Sequence, residues 1–168
     1  MATAVHNFAL TRAMHGFGRA LKSISREDGF NTSPVVQHGA VIMDKLEAFP
    51  TLAYEFGNLS PLSESGLQGA SGFSTGRLRF QWQALVFGFV RTTQDRAALS
   101  EAGCALLADV YSAVYSGETL PDSAGQGSVL MINPGEIVFD MESFAQDKSG
   151  YFAAFFNLAV DLSRGANP

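Results

Sequence analysis

Hydrophobic positions recur along this chain at two periods, and the switches between them divide it into elements. Leu10, Met14, Phe17, Leu21 and Ile24 are spaced 4, 3, 4 and 3 apart, which at about 100° per residue places them on one stripe of a helix. Arg12, Arg19, Lys22 and Arg26 cluster on roughly the opposite face, and residues 1–26 contain no acid. A mitochondrial transit peptide shares that amphipathic, acid-free character. The core-like spacing of the apolar stripe favours an integral first helix with a cationic outer face, ended by Glu27, Asp28 and Gly29, with Gly29 as its C-terminal cap. A cationic face on an acidic protein is a candidate contact for an acidic neighbour, including another copy of the chain.

Beyond the helix the period shortens. Val35, Val36, Val41 and Ile42 predict a short extended piece around Gly39. Residues 48–57, AFPTLAYEFG, read as a strand entered through Pro50, where no backbone donor is needed. The Gly- and Ser-rich stretch that follows Gly57 predicts a long loop. In residues 77–91, Leu78, Phe80, Trp82, Ala84 and Val86 alternate with Arg77, Arg79, Gln81 and Gln83, and both faces become apolar at Leu85, Phe87 and Phe89. This is a long strand, half-wet and then covered. Thr92 or Thr93 is the expected cap of a second helix over about 94–115, carried by Leu99, Gly103, Leu106, Val110 and Val114, with Cys104 inside it as an inert small hydrophobe. A second loop over 116–127 leads to VLMINPGEIVFDME, a strand expected to be interrupted at Asn133-Pro134-Gly135. Phe152, Ala154, Phe156, Leu158, Val160 and Leu162 then share one face of a last strand at strict period two. The sum predicts an α+β fold, an antiparallel β-sheet with two main α-helices packed on one face.

Composition adds a surface argument. Charged residues make up 16 % of the 168, against about 25 % in soluble domains, so part of the surface is expected to be covered. Fourteen Phe supply apolar material for both a core and a subunit interface. The net charge of −5 has the wrong sign for gripping a phosphate backbone. Cys104 is the single cysteine, so neither an intrachain disulfide nor a zinc-finger framework is available, and the chain reads as made in a reducing cytoplasm. No apolar run reaches the roughly 18 residues of a membrane span, and Asn7, Thr11, Arg12 and His15 break up any export signal.

Chemistry-bearing patterns fail on context. Gly72-Phe73-Ser74-Thr75-Gly76 matches the G-x-S-x-G nucleophile elbow, but it follows a Gly/Ser loop and precedes a strand, and no histidine lies downstream. His6, His15 and His38 lack metal-ligand spacing, and no phosphate-binding glycine loop occurs. Gly16-Phe17-Gly18 lies within the first helix and reads as a close-packing site. The acid pairs Glu27-Asp28, Asp44-Glu47 and Asp140-Glu142 read as solvated carboxylates. The expectation is no catalytic residue, no cofactor and no metal.

The arrangement of segments is informative where single motifs are not. The opening helix running into LKSISREDGFNT, the strand AFPTLAYEFG, the strand QALVFGFV followed by TTQDRAALSEAGCALLADVYSAV, and the closing INPGEIVFDME and GYFAAFFNLAVDL resemble tail terminator proteins of tailed bacteriophages. The resemblance covers nearly the whole chain apart from 58–76 and 116–127. It implies a single domain over 1–168 with loop inserts at those positions, made in the host cytoplasm and placed in the virion at the head-proximal end of the tail. It further implies a homohexameric ring that stops polymerisation of the tail tube protein and joins the neck or head-completion (stopper or connector) proteins. Genomic DNA would pass through the lumen without specific binding. The Gly/Ser-rich insert after Gly57 departs from the family pattern and leaves open whether contacts there belong to tube, neck or sheath. Leu59, Leu62 and Leu67 on the first loop and Leu120 and Asp122 on the second are the expected partner contacts. Arg12, Arg19 and Arg77 are expected to pair with acids of the neighbouring subunit, whereas Phe80, Trp82 and Phe156 are assigned to the core. Two alternatives remain: another phage neck or tail tube ring protein, and a small-molecule-binding α+β domain using the cleft between helices and sheet.

Overall fold

The apolar stripe near the N-terminus forms helix α1, Val5–Lys22. The computed structural model describes residues 5–42, 45–61, 79–116, 129–141 and 148–161. Ala13, Phe17, Ala20 and Leu21 of α1 are buried, as is Ile24 just beyond it. The helix stops one turn earlier than its stripe suggests. The Ser23 hydroxyl donates to the Ala20 carbonyl, and a separate 3-10 turn follows at Arg26–Asp28, started by the Ser25 side chain accepting from the Glu27 amide. Gly29, at φ 91°, caps that turn and not α1. Gly18 lies where a Cβ would run into the Tyr54 phenol, so the expected close approach is the one observed.

Five strands build one sheet in the order β1-β2-β3-β5-β4. They are β1 Val35–His38, β2 Thr51–Pro61, β3 Arg79–Arg91, β4 Val129–Asp140 and β5 Ser149–Asp161. All neighbours pair antiparallel except β1, which runs parallel to β2 from Val35 opposite Thr51 to His38 opposite Tyr54. Val41 and Ile42 fall outside β1, in the crossover a parallel pair requires. β2 starts directly after Pro50, as the sequence indicates, but runs on to Pro61 through a register shift between Phe56 and Leu59. β4 continues through Asn133-Pro134-Gly135, with the irregularity absorbed as a shift between Pro134 and Ile137. An edge strand tolerates the missing proline donor, and the shift accommodates the extra residue.

Helix α2, Arg96–Tyr115, packs Leu99, Gly103, Leu106, Val110, Ala113 and Val114 inward. By length and composition it could cross a membrane, yet this stripe lies on the sheet. Its N-cap is Asp95, whose carboxylate accepts from the Ala98 amide at 3.0 Å, while Thr92 makes only a local turn with Gln94. Cys104 is exposed, on the side of α2 away from the sheet, and is not core.

Both helices cover one face of the sheet. Phe152, Ala154, Phe156, Leu158 and Val160 of β5 are fully buried there, with Leu52, Ala84 and Val86 beside them. Leu162 lies outside the described residues. Gly88 stands opposite Phe152 in the β3–β5 register, and a Cβ at Gly88 would run into that ring. Gly88→Val is therefore expected to destabilise by about 1–3 kcal/mol or more through overpacking in a strand paired on both sides. Thermal melts should show the loss, and combining Gly88→Ala with Phe152→Leu should return part of what Gly88→Ala removes.

Candidate interaction surfaces

An internal clamp fixes the segment between α1 and β1. Asp109 of α2, 2 % exposed, accepts four hydrogen bonds. Its Oδ1 receives the Asn31 amide at 3.0 Å and Asn31 Nδ2 at 2.8 Å, and its Oδ2 receives the Thr32 amide at 2.8 Å and the Thr32 hydroxyl at 2.6 Å. The carboxylate is saturated by its own chain, so its chemistry is structural. Sequence reasoning passed over it, reading Asn31-Thr32-Ser33 only as a glycosylation triplet.

An aromatic cluster ties the layers together. Phe17 lies 5.7 Å from both Phe56 and Phe156, Tyr111 lies 5.2 Å from Phe156, and Trp82 lies 4.2 Å from Phe56, all between ring centroids. Trp82 and Phe80 are half-buried against this core, and Phe156 is fully inside it, as expected. Burial pushes the phenols of Tyr54, Tyr111 and Tyr115 above their ordinary range, with Tyr111 adding to the effect at Tyr115. They act as neutral rings at physiological pH.

The second face of the sheet carries no helix. Cross-strand pairing sets Leu85 beside Phe155, Phe87 beside Ala153 and Val138, and Phe89 beside Tyr151 and Asp140. Val138 is 42 % and Met131 55 % exposed, while Leu85, Phe87, Tyr151 and Phe155 are half-buried. Gln81, Gln83, Asn133 and Asn157 continue the same face toward the other end of the strands. The 39–50 crossover shields only the β1–β2 side. A groove of about 500 Å³ separates Val35 and Gln37 of β1 from Val41, Ile42, Lys45 and Glu47, and the Arg91 guanidinium sits 4.2 Å above the Phe49 ring. The helix–sheet interface, by contrast, is filled by the core side chains.

The expected contact residues are scattered relative to these surfaces. Leu59 is 39 % exposed, but it lies in β2 opposite Trp82 on the helix-bearing side, not at a loop tip. Arg12 is half-buried and Arg19 exposed on α1. Leu62, Leu67, Arg77, Leu120 and Asp122 lie outside the described residues. Among the described residues no group of three or more His, Cys, Asp or Glu is placed to hold a metal ion.

No protein-family model matches the chain, and no curated protein does. Among solved structures it is similar to the sheath/tube terminator, in the extended state, of an extracellular contractile injection system (PVC). That match has 12 % identity and a TM-score of 0.43, and it covers 92 % of this chain. The chain spans 56 % of the length of that terminator.

Proposed function

We propose that this protein is a structural subunit of a phage or phage-like tail, a terminator whose hexameric ring sits at the head-proximal end of the tail tube. In this reading it ends tube polymerisation, receives the neck or head-completion protein, lets DNA pass without binding it, and performs no catalysis. The observation that carries the proposal is the helix-free sheet face, apolar from Leu85 to Val138. A subunit that works alone gains nothing from such a face, whereas an assembly subunit covers it. The sparse charge of the chain and its segment-by-segment resemblance to tail terminators support the same reading. An acidic ring also repels DNA from its wall. Arg12, Arg19 and Arg77 are assigned to contacts with acids of the neighbouring subunit. Leu59, Leu62, Leu67, Leu120 and Asp122 are assigned to contacts with tube and neck proteins.

Negative-stain electron microscopy of dilute and concentrated protein, with and without magnesium, tests this reading. Closed six-fold rings that do not lengthen are expected, because capping requires closure without self-stacking. Long tubes would move the assignment to a tube protein. Monomers in every condition, combined with a melting temperature raised by a small molecule, would replace it with the ligand-binding alternative. Arg19→Glu is expected to abolish rings while the circular-dichroism spectrum stays that of the folded subunit.

A further inference from the structure

We infer that the helix-free face of β3, β5 and β4 is the surface through which one copy of this chain packs on another. The inference rests on the assembly part of the reading above and adds which surface makes the contact. Three observations select a second copy as the occupant.

The first is size. β3 and β5 are each 13 residues long, so at standard strand rise and spacing the four longest strands present a face of roughly 40 by 19 Å, about 800 Å². That is close to the roughly 800 Å² each partner contributes to a stable protein interface.

The second is charge. The chain is acidic overall, so two copies repel unless they meet where charge is absent. Leu85, Phe87, Ala153, Phe155 and Val138 form such a patch. The acids of this face, Glu55 and Asp140, stand at its margins, on β2 and at the end of β4. Nucleic acid and anionic lipid, which need a cationic surface, find none at its centre.

The third is relief. Ala153 lies between Phe87 and Val138, and Gly135 lies so close over Phe155 that a Cβ would stand 2.9 Å from the Phe155 Cβ. Hollows at Ala153 and Gly135 next to projecting rings let one such face receive the rings of another. The Gln and Asn side chains around the patch supply a polar rim.

The test is sedimentation velocity of the full chain across a wide concentration range, comparing wild type with Val138→Glu, Phe87→Gln and, as a control, Ala97→Glu. Val138 stands on an edge strand and Ala97 is exposed on α2, so both glutamate variants are expected to fold, checked by circular dichroism. Wild type and Ala97→Glu should associate alike, and both face variants should weaken association about tenfold or more. Unchanged association of a folded Val138→Glu would overturn the inference even if six-fold rings form, and wild type that stays monomeric at every concentration would overturn it as well. Association through this face into something other than a six-membered ring would uphold the inference and remove the ring reading.

Discussion

Alanine at Phe156 is expected to cost this fold about 3–5 kcal/mol, the range for emptying a buried phenylalanine site. The side chain is wholly buried on the central pair of strands. Its ring lies 5.7 Å from Phe17 of α1, 5.2 Å from Tyr111 and 6.4 Å from Tyr115 of α2, so one truncation loosens both helices from the sheet. Since domains are stable by only about 5–15 kcal/mol in total, urea denaturation should show a sharply lowered midpoint with little change in slope. Phe156→Leu should lose markedly less. A loss under about 1 kcal/mol for the alanine variant, well below the cost of such a cavity, would mean that the helices are held by other contacts.

Asp109→Ala is expected to cost about 3 kcal/mol for a different reason. It strands the amides of Asn31 and Thr32 and the Thr32 hydroxyl, and a buried donor left without an acceptor costs about 1–3 kcal/mol. The effect should be local before it is global. Hydrogen exchange of the Asn31 and Thr32 amides should accelerate well beyond that of β3 and β5 amides, because these two donate directly to the carboxylate. Asp109→Asn keeps one acceptor oxygen and places an NH2 against donors, so an intermediate loss is expected. Equal protection in wild type and the alanine variant would show that the clamp does not hold this segment.

These two residues differ in how legible they are in the chain. Phe156 stands in a strict period-two run, and that periodicity alone marks its face as buried. Asp109 follows a run of small and apolar helix residues, and nothing near it in sequence identifies its partners 77 and 78 positions away. The helix cap behaves similarly. Thr92, Thr93 and Asp95 can all cap, and the choice of Asp95 follows from where β3 releases the chain. The break expected at Asn133-Pro134-Gly135 did not occur because β4 is an edge strand, a property of strand order that local sequence does not contain. Leu59 changed role for the same reason, since its pairing with Trp82 draws it from a loop into β2.

Taken by itself, the sequence determined the elements and their buried faces: the stripe of α1, the alternation of β3 and β5, the second helix, and an α+β arrangement. These are periodic signals carried within single segments, where side-chain direction repeats with the backbone. Tertiary structure alone decided the parallel placement of β1, the Asp109 clamp, and which apolar surface is left without a helix. Leu85, Phe87 and Phe89 read as covered on both faces, and the chain supplies a helix layer for only one. Which residues remain bare depends on strand order and crossover side, and those are settled by contacts between segments far apart in the chain.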